Sequence, residues 1–156
     1  MPEKVIIAMS GGVDSSVAAY LCCKAGFDCI GVTMKLFTND ALSLPREHSC
    51  CSLDDVEDAR SVAEQLGMPY HVFNFADRFE SCVINRFVHA YENGETPNPC
   101  IDCNRYLKFE KLYQRAQELG CTHVVTGHYA RIERAENGRF LLKKGLDPTK
   151  DQSYVL

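Results

Sequence analysis

Residues 10–16 (SGGVDSS) come directly after residues 4–9 (KVIIAM), a short run of mostly β-branched apolar side chains. Such a run is typical of a buried strand, and the pattern of residues 15–25, which stops before Gly26, predicts a helix. The chain is therefore expected to open with a strand, a glycine-rich turn and a helix. Two adjacent glycines allow the backbone to turn tightly and to approach a ligand closely.

The chemistry of this turn suits an anion. The N–H groups at a helix start and the hydroxyls of Ser10, Ser15 and Ser16 can donate hydrogen bonds to phosphate oxygens. The turn has neither the GxxxxGK[ST] pattern of a Walker A loop nor the GxGxxG pattern of a dinucleotide-binding loop. The alternative is an ordinary strand-to-helix turn that Asp14 or Ser15 caps.

Strands and helices alternate along most of the remaining chain. The strand-like runs are residues 29–36, 70–75 and 121–126, and the helical patterns are residues 53–66 (with Ser52 as cap), 78–91 and 106–119. This order predicts an α/β fold with a doubly wound, mostly parallel sheet that binds ligands at the carboxyl ends of its strands. Glu136-Asn137-Gly138, between residues 130–134 and 139–143, predicts a small C-terminal hairpin.

Length and composition indicate a globular chain. Residues 1–156 are expected to form one domain, with 46% hydrophobic and 24% charged residues and no linker-like segment. No apolar run approaches the roughly 20 residues of a membrane helix, so we expect a cytoplasmic protein without a membrane partner. The net charge of −4 argues against a generally basic nucleic-acid surface but leaves a local basic stripe open.

Nine cysteines, an odd number with adjacent pairs, favour thiol chemistry, a metal or a cluster over a disulfide scaffold. Five lie within predicted elements and are expected to be small core residues: Cys22, Cys23, Cys29, Cys82 and Cys121. Cys50 and Cys51 are interpreted as loop residues near a helix cap. Adjacent cysteines do not match the common spacings of zinc ligands.

The remaining two cysteines lie in residues 96–104 (TPNPCIDCN), between two predicted helices. Two prolines are expected to keep this segment extended, with its side chains presented. Cys100 and Cys103 then approach a helix start, which favours a thiolate and hence a nucleophile. The alternative is a structural pair of metal ligands. Further along, Lys108, Lys111 and Arg115 share one helix face, which either meets a nucleic-acid backbone or is simply solvated.

Residues 10–16 resemble the PP-loop of ATP pyrophosphatases, the enzymes that cleave ATP between its α and β phosphates. Together with four further motifs they occur in the order seen in the tRNA-specific 2-thiouridylases: residues 34–37 (MKLF), 96–109 (TPNPCIDCNRYLKF), 126–131 (TGHYAR) and 150–154 (KDQSY). This resemblance covers nearly the whole chain. It implies an adenine nucleotide alpha hydrolase-like (PP-loop) fold and ATP-dependent 2-thiolation of wobble uridine 34 in tRNA.

The resemblance also implies cofactors and site residues. ATP would be held by Ala8, Met9, Ser10, Gly11, Gly12, Val13, Asp14, Ser15, Met34 and Gly127, and Asp14 would help to bind Mg²⁺ near the pyrophosphate. Cys103 would be the nucleophile, charged as a persulfide by a sulfur-donor carrier protein. The target base would lie against Asn98, Pro99 and Cys100, and the tRNA would contact Lys150, Asp151 and Gln152.

Two points stay open at the level of sequence. Cys100 and Cys103 could join a later cysteine as ligands of a [4Fe–4S] cluster instead of cycling through a disulfide. The resemblance also implies that this chain is the N-terminal part of a longer enzyme. We therefore expect residues 1–156 alone to bind ATP but to form little or no 2-thiouridine.

Two other functions compete with tRNA thiolation. A PP-loop synthetase that acts on a small metabolite would not need Cys103, whereas a metal- or iron–sulfur-binding module would hold stoichiometric metal and release no pyrophosphate. His128 either touches the nucleotide or satisfies the loop after the last parallel strand, and we favour the second interpretation.

Overall fold

A sheet of parallel strands lies at the centre of the fold. The computed structural model describes residues 2–37 and 53–156. In these residues the central sheet has four strands in the order β3-β2-β1-β4, and every neighbouring pair is parallel. The strands are β1 (Lys4–Ala8), β2 (Asp28–Lys35), β3 (Tyr70–Asn74) and β4 (His123–Val125). The two central strands, β1 and β2, are apolar along most of their length because helices cover both of their faces.

Four helical segments connect the strands. They are α1 (Val13–Lys24), α2 (Leu53–Gln65), α3 (Ala76–Phe79, a π-helical stretch at Glu80–Ile84, and Asn85–Glu92) and α4 (Pro99–Asp102, a π-helical stretch at Cys103–Lys111, and Leu112–Glu118). Beyond β4 an antiparallel hairpin of β5 (Ala130–Arg134) and β6 (Phe140–Lys144) precedes a 3₁₀ turn at Ser153–Val155. None of the helices in the described ranges has the length and apolarity that crossing a bilayer requires.

Alternating side chains of the strands build a core on each face of the sheet. On one face, Val5, Ile7 and Cys29 pack against α1 and α2, whose core residues are Ala19, Ala59 and Ala63. On the other face, Ile6, Ile30 and Val32 pack against α3 and α4, whose core residues are Val83, Leu107, Leu112 and Ala116. The helices therefore lie on both faces, and the predicted doubly wound α/β fold is confirmed. The strand order reverses between β1 and β4, and the crevice at their carboxyl ends is where this fold binds ligands.

Helix α4 starts earlier than the sequence pattern predicts. The sequence predicts an extended segment over residues 96–104, but the helix begins at Pro99, where a proline at the first helical position costs no hydrogen bond. The Asn98 side chain caps it by accepting a hydrogen bond from the Cys100 N–H at 3.0 Å. The prediction of an extended cysteine loop was wrong for this reason: the second proline initiates a helix.

The hairpin and the other helix boundaries follow the predictions within a few residues. Gly138 has φ +80° in the turn between β5 and β6, a conformation that glycine adopts without strain. The predicted cap Ser52 and the predicted loop residues Cys50 and Cys51 lie outside the described residues.

Candidate functional site

The glycine turn at the end of β1 is organised by its own serines. The Ser15 hydroxyl accepts a hydrogen bond from the Ser10 N–H at 3.2 Å and donates one to the Gly12 carbonyl at 3.0 Å. The Ser16 hydroxyl donates to the same carbonyl at 2.9 Å. These hydroxyls therefore shape the turn. The N–H groups of the first turn of α1, which cannot bond within the helix, are the donors that suit a phosphate.

Two glycines are required by close backbone approaches. A Cβ on Gly11, which has φ +80°, would lie 2.6 Å from the Asp55 carbonyl oxygen. A Cβ on Gly127 would lie 2.8 Å from the Ser15 nitrogen and 3.0 Å from the Asp14 carbonyl oxygen. The loop after β4 therefore packs directly on the start of α1, and the predicted ligand residues of β1 and β4 come together at the switch point of the sheet.

Three other predicted ATP residues at this edge pack into the two cores. Met34, near the end of β2, and Ala8, at the end of β1, pack in the core formed with α3 and α4. The Met9 side chain is buried in the opposite core, its N–H donates to the Val32 carbonyl at 2.8 Å, and its carbonyl accepts from the Thr33 hydroxyl at 2.8 Å. Val13, by contrast, is exposed at the start of α1.

Asp14 is the exposed acidic group of the turn, and Tyr129 holds it. The Tyr129 hydroxyl donates to Asp14 Oδ1 at 2.6 Å, and this bond to a carboxylate raises the pKa of the phenol. The backbone of Tyr129 is fixed by Gln152: its N–H donates to the Gln152 side-chain carbonyl at 3.0 Å, and its carbonyl accepts from the Gln152 N–H at 2.9 Å. Residue 152 of the predicted tRNA segment is thus linked to the glycine turn.

Asp151 has a structural task in this segment. Its carboxylate accepts hydrogen bonds from the Gly145 N–H at 2.8 Å and from the N–H and hydroxyl of Ser153 at 3.2 and 3.0 Å. These bonds, the one from Gly145 first, lower the pKa of Asp151. The neighbouring Lys150 is exposed, so its side chain is accessible to a partner.

The two cysteines of the CxxC motif lie on one face of α4, because residues three apart are neighbours on a helix. Cys100 is exposed, and Cys103 is half-buried against the core. Asn104 is buried and donates from Nδ2 to the Val155 carbonyl at 2.9 Å, which ties this part of α4 to the C-terminal 3₁₀ turn. Residues 152–155 therefore touch both the helix that carries Cys103 and the loop that holds Asp14.

His128 joins the loop after β4 to α4. Lys108 donates from Nζ to His128 Nε2 at 3.4 Å, and since an ammonium can only donate, His128 carries its proton on Nδ1 and donates it to the Thr126 hydroxyl at 2.8 Å. Burial, and then the charge of Lys108, lower the pKa of His128 to about 4. A neutral imidazole that bridges two elements agrees with the structural interpretation of His128.

The predicted basic stripe on α4 is not a single row of cations. Lys108 turns to His128, Lys111 donates to the Gln114 side chain at 3.5 Å, and Arg115 pairs with Glu118 at 2.6 Å. Arg115 also lies over the Phe73 ring. Helical spacing places the three residues on one face, and each side chain has a different partner there. The two alternatives for this face, contact with a nucleic-acid backbone or simple solvation, stay predictions.

The other described cysteines differ from the CxxC pair in their surroundings. Cys29 and Cys121 are buried, and Cys22 and Cys23 pack against the core, as expected, whereas Cys82 is half-buried on α3 outside both cores. Burial, and the neighbouring Cys23 thiol, raise the pKa of Cys29 to about 12, which makes it inert. In residues 2–37 and 53–156 no group of three or more metal-ligating side chains is present, so Cys100 and Cys103 have no third ligand there.

The chain matches a protein-family model over almost its whole length. The family model described as "tRNA methyl transferase HUP domain" matches residues 3–156. The chain belongs to this family. A tRNA-specific 2-thiouridylase MnmA of Clostridium acetobutylicum is 54% identical to this chain over 156 residues, which are 100% of this chain and 44% of that protein. The protein of the same name from Geobacter metallireducens is 50% identical over 157 residues, 99% of this chain and 43% of its own length.

The chain spans less than half the length of these relatives. Solved structures share its fold at low sequence identity. A predicted subunit of tRNA methyltransferase from Methanocaldococcus jannaschii is 17% identical with a TM-score of 0.54, over 95% of this chain and 61% of that chain. A glutamine-dependent NAD⁺ synthetase from Acinetobacter baumannii is 17% identical with a TM-score of 0.53, over 78% of this chain and 21% of that chain. These likenesses establish the α/β architecture.

Sequence reasoning assigned no role to Tyr129 or Asn104, and for Gln152 it predicted a tRNA contact but not the hydrogen bonds to Tyr129. The motifs TGHYAR, KDQSY and CNRYLKF contain them, but a motif does not reveal which side chains bond across it. Their partners lie 115, 23 and 51 residues away in sequence, so the local pattern carries no signal of these bonds.

Proposed function

We propose that this chain provides the ATP-binding and thiol-bearing part of an enzyme that 2-thiolates wobble uridine 34 in tRNA. The name of the relatives at 50–54% identity supports the reaction. The observation that carries the proposal is that residues 126–129 contact all the predicted parts of the site. Gly127 packs on the start of α1, and Tyr129 hydrogen-bonds to Asp14 and to Gln152. His128 contacts Lys108 on α4, the helix that carries the two cysteines.

ATP and Mg²⁺ fit the donors that this chain offers. The N–H groups of Val13, Asp14 and Ser15 at the start of α1 would hold the phosphates, with Gly11 and Gly12 allowing their close approach. Asp14 would contribute a carboxylate oxygen to Mg²⁺, a ligand type that this ion prefers. The backbone of Gly127 would contact the adenosine, and the Met34 side chain would provide an apolar contact to it.

ATP supplies the activation that the reaction needs, because an unactivated carbonyl oxygen is a poor leaving group. Adenylation of O2 of the uridine releases pyrophosphate, and sulfur then replaces that oxygen as AMP departs. Cys103 would deliver the sulfur: its persulfide attacks C2, and a second thiol then attacks the Cys103 sulfur, forming a disulfide and releasing the thiolated base. A dithiol reductant would then reduce this disulfide, and a protein sulfur carrier would restore the persulfide on the freed Cys103 thiol.

The RNA contacts would lie on both sides of the turn. Asn98, Pro99 and Cys100 at the start of α4 would face the target base, and the exposed thiol of Cys100 is accessible there. Lys150 would contact the RNA backbone, while Asp151 and Gln152 would fix the segment that presents it. An iron–sulfur cluster on Cys100 and Cys103 would require ligands beyond those in the described residues.

The test is ATP-dependent pyrophosphate release by the protein with and without unmodified tRNA, followed by nucleoside analysis. We expect pyrophosphate release that requires unmodified tRNA, and little or no 2-thiouridine from residues 1–156 alone. A Cys103→Ser variant should still release pyrophosphate but, unlike the unaltered chain, should take up no persulfide sulfur from a donor protein. Cys82→Ser, a half-buried cysteine on α3, is the matched control and is expected to behave like the unaltered chain. Methylated instead of thiolated uridine would favour the activity named in the family description, and turnover of a small metabolite without Cys103 would favour a synthetase.

A further inference from the structure

Tyr129 reaches from the loop before β5 to the first turn of α1. The residue is 41% exposed, yet its hydroxyl lies 2.6 Å from Asp14 Oδ1. A hydrogen bond between two exposed side chains is normally weak because ordering them costs entropy. This bond is different because the backbone that carries the phenol is already fixed.

Three contacts fix that backbone. Gln152 brackets Tyr129 with the two hydrogen bonds of 2.9 and 3.0 Å described above. Gly127, two residues earlier, packs on the backbone of Asp14 and Ser15. The loop and the start of α1 therefore form one unit, and the phenol is held in reach of the carboxylate before any ligand binds. Such preorganisation reduces the cost of binding.

The bond engages only one oxygen of the carboxylate. Within the described residues, Tyr129 is the side chain that hydrogen-bonds to Asp14, and it does so at Oδ1. A carboxylate held at one oxygen has a fixed rotamer, which aims Oδ2 in one direction. A metal ligand needs such an outer-shell partner to be well oriented.

We propose that Tyr129 is a positioning residue: its hydroxyl fixes Asp14 so that Oδ2 faces the Mg²⁺ of the bound nucleotide, and its backbone makes this orientation depend on Gln152. This role rests on the proposed function.

The experiment is equilibrium binding of a non-hydrolysable ATP analogue, with Mg²⁺ and separately in EDTA, to the unaltered chain and its variants. Tyr129→Phe removes only the hydroxyl and is expected to weaken binding about three- to tenfold with Mg²⁺, the range for one partly exposed charge-assisted hydrogen bond, and to leave binding in EDTA unchanged. Tyr20→Phe, which alters a half-exposed tyrosine on α1, is the matched control and should change neither.

A double-mutant cycle separates positioning from general damage. Once Asp14→Asn has removed the metal-binding charge, the further change Tyr129→Phe should cost little. Gln152→Ala should show a smaller loss of the same Mg²⁺-specific kind, with Gln117→Ala, on the exposed face of α4, as its control.

Three results would overturn the role of Tyr129: unchanged Mg²⁺-dependent affinity in Tyr129→Phe, an equal loss in EDTA, or full additivity with Asp14→Asn. The failure of the proposed function would look different. In that case the unaltered chain would bind the analogue neither with Mg²⁺ nor in EDTA, and the role of Tyr129 would fall with it.

Discussion

Replacing Gly127 with alanine is expected to destabilise the chain and to weaken nucleotide binding together. The added Cβ would lie 2.8 Å from the Ser15 nitrogen, 2.9 Å from the Asp14 carbonyl carbon and 3.0 Å from its oxygen. All three are backbone atoms at the start of α1, so no flexible side chain can move aside. Either the loop after β4 or the first turn of α1 must shift.

The expected cost is about 1–3 kcal/mol, the usual range for one extra methyl group forced into a packed site. For a chain of this length that corresponds to a fall in Tm of roughly 2–12 °C, at about 2–4 °C per kcal/mol. The N–H groups that would hold the phosphates belong to the displaced turn. A shift of that turn therefore lowers nucleotide affinity beyond what the loss of folded protein explains.

Urea unfolding and equilibrium nucleotide binding measure the two effects. Gly12→Ala is the control for stability alone in the same turn, because Gly12 is itself a predicted ATP residue: its Cβ would meet only the Ser10 hydroxyl, at 3.6 Å, and its φ of −80° suits alanine. The less favourable helix cap and the lower entropy of the unfolded chain oppose each other there, so stability should stay within about 1 kcal/mol. Equal stabilities of Gly127→Ala and the unaltered chain would refute the close approach of the two backbones.

Three further predictions concern the same network. The pKa of His128 falls from 6.5 to about 4 on folding, so the unfolded chain binds more protons between these two pH values. The free energy of unfolding should therefore decrease as pH drops from 6.5 to 4, by about 1.5 kcal/mol after allowance for solvent screening. His128→Gln should flatten this decrease in urea titrations, and an unchanged slope would contradict the assignment. Asp151→Asn should lower Tm at pH 6, and the difference from the unaltered chain should shrink as pH falls below 3.8, because the folded carboxyl has a lowered pKa and its stabilisation is lost on protonation; a constant difference across pH would count against it. Asn104→Ala should cost about 1–3 kcal/mol in chemical unfolding, because the buried Val155 carbonyl loses its donor, and a cost near zero would show that this bond is unimportant.

The local patterns of the sequence were sufficient for the architecture. The run at residues 4–9, the glycines after it and the apolar spacing of α1 and α2 depend on neighbours within one or two turns, so period and turn chemistry predict them. The alternation of strands and helices then fixed the doubly wound topology. The observed order β3-β2-β1-β4 places the glycine turn at the switch point, where the fold binds ligands.

The errors have a different origin. Pro99 was interpreted as a residue that keeps a loop extended, yet proline also starts helices, and only the cap from Asn98 decides between the two. For Lys108, Lys111 and Arg115, helical spacing indicates a shared face but not the partners His128, Gln114 and Glu118.

The connections within the site lie beyond sequence reasoning for a related reason. The bond between Tyr129 and Asp14 spans 115 residues, and the bond between Asn104 and Val155 spans 51. Neither a tyrosine at position 129 nor an asparagine at position 104 indicates its hydrogen-bond partner from the local sequence. The individual roles of Cys103, Cys100 and the ATP residues are still predictions, because they concern ligands and not the folded chain alone.

A crystal structure of the chain with Mg²⁺ and a non-hydrolysable ATP analogue tests the central claim most directly. We predict that the phosphates lie on the N–H groups of residues 11–15, with Mg²⁺ on Asp14 Oδ2 and the Cys103 thiol facing the same crevice between β1 and β4. An analogue bound elsewhere with the glycine turn empty, or a Cys103 thiol on the opposite side of the sheet from the phosphates, would contradict the account.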